Sequence, residues 1–182
     1  RLFAPVRSAW PAWRYDPRRS GGFAIESGIH EIDTVRWLAG EVANVFARVT
    51  YGDPEHPDFD TDFRALLTLR RGATAAVEVS LHAAIRDWSW GVVGTRATAT
   101  SPRRGEVLVA YLDGLGERTI AVEPITDPER NLNRSMLAEN QVFVDAIRTG
   151  QPSPIPGEEG RRNLAILLAA LQSAREDRVL VV

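Results

Sequence analysis

Two runs of alternating apolar residues joined by one tight turn constrain this chain most. Phe63, Ala65, Leu67 and Leu69 occupy every second position, Arg71-Gly72 offers a turn, and Ala73, Ala75, Val77, Val79 and Leu81 alternate back. A period of two over that length lays one apolar row along one side of a pleated sheet, and the short Gly-containing connection makes the pair an antiparallel hairpin. The other row, Arg64, Leu66, Thr68, Ala76, Glu78, Ser80 and His82, is mixed and small. It suits a wet surface or a subunit contact better than a core. Val45, Ala47 and Val49 alternate ahead of the loop Asp53-Pro54-Glu55-His56-Pro57-Asp58. Shorter strands are expected around 90–93, 96–100, 106–112 and 118–122.

Helical signals flank this sheet. Residues 21–40 open on a glycine pair and end at Gly40, a residue suited to close a helix. With Glu26 at zero on a wheel of about 100° per residue, His30 falls near about 40°, Asp33 near about −20° and Trp37 near about 20°. Ile25, Ile29, Ile32, Val35 and Leu38 cover the other side. That side packs against something large, which leaves the acid–His–acid stripe facing a cleft or a neighbouring module. A second helix is expected over 132–147 with Leu137, Phe143, Val144 and Ile147 on its apolar face. After a proline-rich loop, Glu158 and Glu159 mark the start of a third, whose Leu164, Ile166, Leu167, Leu168 and Leu171 read as buried all round. Residues 179–182 read as a closing strand, and residues 1–20, with Trp10, Trp13 and Tyr15 among prolines and arginines, as an extended arm.

The expected class is α+β: a large, open, mostly antiparallel sheet with helices packed on one face. All 182 residues are read as one domain, with an arm (1–20), a motif helix (21–40), a sheet (41–123), and helices with a closing strand (130–182). The net charge of −2, with arginines and acids intermixed, gives no basic field for nucleic acid. No apolar run reaches membrane-spanning length and no signal peptide is visible, so no membrane partner and a cytoplasmic location are expected. There is no cysteine, which removes thiolate chemistry. All 22 basic residues are arginine, so the chain has no amine for proton transfer or Schiff-base formation. Met136 is the only methionine, and a chain that starts at Arg1 is expected to be a fragment or a trimmed product.

Glu26 and His30 sit one turn apart, so a carboxylate can orient an imidazole for general acid/base work. The same spacing also occurs on a polar helix face without chemistry. With Asp33 the pair would offer three metal ligands, but His56 and His82 have no ligand spacing to this helix. Gly91-Val92-Val93-Gly94-Thr95 lacks the strand-to-helix setting of a dinucleotide site and reads as a turn between strands. Arg86-Asp87-Trp88 offers a guanidinium and an indole at a sheet edge, either for a ligand or as a structural Trp beside a surface ion pair. Arg14 precedes the glycine pair and either reaches the same cleft as His30 or is solvated.

These residues resemble the C-terminal domain of the glucose–fructose oxidoreductase/inositol dehydrogenase (Gfo/Idh/MocA) family. That family shows a triple glycine, an Asp, then Gly-x-His and, after two residues, another Asp. Ser20-Gly21-Gly22 stands for the glycines, Glu26 for the first Asp, and Gly28, His30 and Asp33 match in place. Trp13-Arg14-Tyr15-Asp16-Pro17 resembles the family's lead into the motif. The resemblance runs on through Arg71-Gly72, Val93-Gly94-Thr95, residues 143–148 and Pro154 to Gly160, covering nearly the whole chain.

The resemblance implies a substrate-binding and oligomerisation domain of an oxidoreductase that acts on a sugar, cyclitol or related polyol. It implies NAD or NADP held mainly by an N-terminal Rossmann domain outside this chain, and a homo-oligomer formed through the open sheet face. It makes His30 the acid/base and Glu26 its orienting partner, with Arg14, Asp33 and Arg86 as substrate contacts. The family's catalytic Lys comes from the Rossmann half, so this chain alone is expected to be inactive. Glu26 departs from the family's Asp by one methylene. The alternative is a non-catalytic scaffold or ligand-binding module that uses the same fold for association.

Overall fold

The hairpin around Arg71-Gly72 forms the centre of a six-stranded sheet. Its strands, β3 (Asp60–Leu69) and β4 (Thr74–Ser80), pair antiparallel with Ala65 opposite Val77 and Leu67 opposite Ala75. Gly72 takes φ 88°, the left-handed conformation the turn needs. The structure is a computed structural model and describes residues 2–3, 10–84, 87–103, 106–111, 114, 116–121, 126–127 and 132–182. The sheet runs β12 (Leu180–Val181), β2 (Val42–Tyr51), β3, β4, β1 (Leu2–Phe3), β5 (Asp87–Trp88). Only β1 on β4 is parallel among the pairings described for it.

The helices that cover this sheet follow from its apolar row. A short 3₁₀ turn (Ala12–Tyr15) and α1 (Pro17–Ser20) lead into a π turn (Ala24–Gly28) and then α2 (Ile29–Ala39). Helix α4 (Gly157–Glu176) returns near the C-terminus. Ile32 of α2 and Ile166, Leu167 and Ala170 of α4 are buried with Val45, Phe63, Leu67 and Val79. Each such aliphatic side chain contributes about 1.5–3 kcal/mol on leaving water. Gly28 lets the motif helix lie close: a Cβ there would meet Phe63 at 3.3 Å and Leu167 at 3.6 Å. On the opposite sheet face Arg64, Leu66, Thr68 and Ala76 are exposed. The α+β class with helices on one face is therefore the observed one.

Several local expectations are corrected. The arm is not extended over 12–20, because Asp16 caps α1 by accepting a 3.0 Å hydrogen bond from Arg18 N and Gly21 closes that turn at φ 82°. Helix α4 is not buried all round: Leu168 is half exposed, since only the face carrying Asn163, Ile166, Leu167, Ala170 and Ser173 meets the sheet. Where the sequence reads as one sheet over 41–123, the strands fall into separate sheets, and the chain divides into two compact units, residues 1–87 with 158–182, and residues 88–157. The strands part because those of the second unit pair with one another.

In that second unit β6 (Trp90–Val93), β7 (Ala97–Arg103), β8 (Glu106–Tyr111) and β9 (Glu117–Ala121) form a four-stranded antiparallel meander. The Gly94 N–H donates to the Ala97 carbonyl at 2.9 Å, so this glycine run is a turn between strands, as its sequence indicates. A two-stranded ribbon, β10 (Thr126–Asp127) with β11 (Leu132–Asn133), precedes α3 (Arg134–Thr149). Leu137, Phe143 and Ile147 of α3 are exposed rather than packed. Among the described residues no helix is long and apolar enough to cross a membrane.

Candidate active site

The motif helix is positioned at its start by a carboxylate from the sheet. Asp60, the first residue of β3, accepts hydrogen bonds from the N–H groups of Phe23 (2.8 Å) and Ala24 (2.6 Å). This fills orphan donors at the beginning of the helical run with an anion, where the helix dipole favours one. Burial pushes the Asp60 carboxyl above its usual range, and the two N–H bonds oppose that rise. Gly22 makes the approach possible, with φ 93° and a hypothetical Cβ only 2.1 Å from Asp60 Oδ1. The glycine pair thus serves this contact. Asp60 is a positioning residue that the motif reading does not find; its sequence signal is an acid placed just before the alternating run.

The π turn changes which groups meet. A π turn inserts one residue into the helical repeat, a device frequent at functional sites. Glu26, inside that turn, forms an ion pair with Arg14. The Arg14 guanidinium also lies 4.2 Å from the Trp10 ring centroid. Among the described residues no hydrogen bond joins Glu26 to His30, and the ion-pair partner of Glu26 is Arg14. Arg14 Nε and Glu26 Oε2 are buried without a hydrogen-bond partner, which leaves bonding capacity at this pair. His30 itself is exposed on the first turn of α2, and its carbonyl accepts the Thr34 hydroxyl at 2.9 Å.

Asp33 is engaged elsewhere. Its Oδ1 accepts from Asn163 Nδ2 at 2.6 Å, and Asn163 Oδ1 accepts from Arg36 Nη1 at 2.7 Å. Arg36 is buried and pairs with Glu41 at 2.7 Å and Glu159 at 2.8 Å. Asp33 therefore belongs to a network that ties α2 to α4. Arg86 lies outside the described residues. Glu26, His30 and Asp33 do not converge, and among the described residues no three His, Asp or Glu side chains form a metal-sized group.

The Arg36 network carries a pH dependence. The hydrogen bond from Arg36 holds the Glu41 carboxyl below its ordinary value of 4.5, against the opposing effect of burial. A depressed folded value means that the stabilisation is present above the unfolded value and is lost as pH falls through the folded one. Glu41 is half exposed, so the effect is screened and amounts to less than about 1 kcal/mol. Urea titrations between pH 3 and 6 are expected to show a shallower acid-side loss in Glu41→Gln than in the parent.

The fold is thus an α+β domain with one helix-covered face and a histidine-bearing motif helix locked to the sheet by a carboxylate. The model described as oxidoreductase family, C-terminal alpha/beta domain, matches residues 1–182, and the chain belongs to this Gfo/Idh/MocA family. The chain is similar to myo-inositol 2-dehydrogenase of Thermotoga maritima, at 28% identity over 88% of this chain and 49% of that protein. It is also similar to D-apiose dehydrogenase of Rhizobium rhizogenes, at 26% identity over 94% of this chain and 53% of that protein. The chain thus spans about half the length of these relatives. Among solved structures it resembles levoglucosan dehydrogenase in complex with NADH and levoglucosan, with TM-score 0.83 at 23% identity over 100% of this chain and 56% of that one. An oxidoreductase from Agrobacterium radiobacter, in complex with NAD+, L-tartaric acid and magnesium, gives TM-score 0.78 at 24% identity over 99% of this chain and 56% of that one. At those identities the structural likeness is one of fold.

Proposed function

We propose that this chain is the substrate-binding and oligomerisation domain of an NAD(P)-dependent oxidoreductase that acts on a sugar, cyclitol or related polyol. The observation that carries the reading is His30, exposed on a helix whose start is clamped by Asp60 and flanked by the Arg14–Glu26 ion pair. A ring nitrogen of His30 takes the proton of the reacting hydroxyl. Glu26 and Arg14, with one unpartnered atom each, help to hold the substrate or the motif helix beside it. The glycine run at 91–95 is a hairpin turn and does not fit a pyrophosphate, so no described residue of this chain is assigned to the nicotinamide cofactor. When bound, that cofactor supplies the hydride chemistry, and its site belongs to a domain outside this chain. The exposed sheet face around Leu66 and Ala76 is proposed for contact between copies, and a cytoplasmic setting completes the reading.

The test is reduction of NAD+ or NADP+ by the full-length protein carrying this chain, with myo-inositol, aldoses and anhydrosugars as substrates. Turnover with at least one of them is expected. A fully bound cofactor with no turnover on any would favour the ligand-binding module, a reading that the diversion of Glu26 from His30 to Arg14 also suits.

A further inference from the structure

Apart from His30, the first unit holds a cleft of about 690 Å³ that Trp10, Tyr15, His56, Thr61 and His82 line. That volume lies in the range of small-molecule sites. One wall is pinned to the core: Tyr15 stacks on His56 at 4.2 Å and meets the buried Phe59 edge-on at 5.4 Å. A wall fixed in this way reduces the entropy lost on binding.

The other wall is a supported imidazole. Behind it Asp62 is buried, accepts the Ser80 hydroxyl at 2.5 Å and the Thr61 hydroxyl at 3.1 Å, and lies 3.7 Å from both His82 Nε2 and Arg64 Nη2. Beside it Gly52 leaves room for the imidazole, since a Cβ there would stand 2.8 Å from Nε2 and push the ring aside. His82 is half exposed and lines the cleft. This is the imidazole–carboxylate neighbourhood that the motif spacing assigns to His30, built instead on the sheet.

The lining also selects by charge. Asp53 and Glu55 contribute carboxylates at the cleft, and no arginine lines it among the described residues. Anions are repelled there, whereas hydroxyl groups find carboxylate acceptors and an imidazole that both donates and accepts.

We propose that this cleft is a binding site for a neutral polyhydroxylated molecule, anchored by His82. The ligand class rests on the polyol reading above, but the site does not depend on His30. The test is imidazole NMR of the full-length protein titrated with myo-inositol, glucose and mannitol, and with inositol monophosphate and gluconate as anions. The His82 resonance is expected to shift and saturate with at least one neutral compound and to respond about tenfold more weakly to the anions. Affinity read at the resonance of His56, which lines the same cleft, is expected to fall by about tenfold in His82→Ala, the loss of one anchoring hydrogen-bond partner. Gly52→Val, which pushes the imidazole aside from a solvent-exposed position, reproduces the loss if His82→Ala does not fold. The proposal is overturned if no neutral compound moves the His82 resonance, if both cleft variants bind like the parent, or if the anions bind more tightly. Binding without turnover in the parent protein removes the oxidoreductase reading and leaves the cleft assignment standing.

Discussion

Replacing His30 by alanine in the full-length protein is expected to lower kcat by about 10²–10⁴-fold, the range of a lost general acid/base. The side chain is exposed on α2, so its removal opens no cavity, and the urea midpoint is expected to stay that of the parent. KM for the reacting polyol is expected to change little, because the proton contact strengthens only as the hydroxyl ionises. His30→Gln keeps a hydrogen-bonding group without a titrating one and is expected to resemble alanine in kcat. Turnover within about threefold of the parent in both variants would remove His30 from the chemistry and leave it as a polar surface residue of the helix.

The two ends of this site were unequally legible in the sequence. The hairpin partners Phe63 to Leu69 and Ala75 to Leu81, and the end of α2 at Gly40, follow from a local period or a local φ, so a reading of neighbours finds them. The π turn does not. Its start is fixed by Asp60, a residue 36 or 37 positions away in sequence from the N–H groups it binds. Its polar content is set by Arg14, which a wheel drawn on residues 21–40 never includes. An ideal repeat of 3.6 therefore aligned Glu26 with His30, while one extra residue in the turn sends the carboxylate to Arg14. Asp33 shows the same limit: its spacing fits the stripe, yet Asn163 on α4 holds it from 130 positions away. The departure of Glu26 from the family's Asp has a physical counterpart here, since the longer side chain is the one that pairs with Arg14.

Gly22→Ala is expected to destabilise the chain by about 2–5 kcal/mol, from two separable causes. A Cβ at φ 93° carries about 1–2 kcal/mol of backbone strain. The same atom, 2.1 Å from Asp60 Oδ1, displaces a carboxylate that cannot swing away without releasing the N–H groups of Phe23 and Ala24. Leaving buried donors unpaired costs about 1–3 kcal/mol. Asp60→Ala alone removes the same acceptor and is expected to cost about 2–3 kcal/mol, reduced by relief of the carboxylate's burial. The two substitutions should therefore not add. In an Asp60→Ala background the steric conflict is gone, and Gly22→Ala should retain only the strain of about 1–2 kcal/mol. Urea unfolding of the four proteins in the cycle reads this directly, as a coupling of about 2 kcal/mol. Equal effects of Gly22→Ala in both backgrounds would mean that the glycine serves backbone conformation alone, and the clamp between β3 and the motif helix would lose its claim on that position.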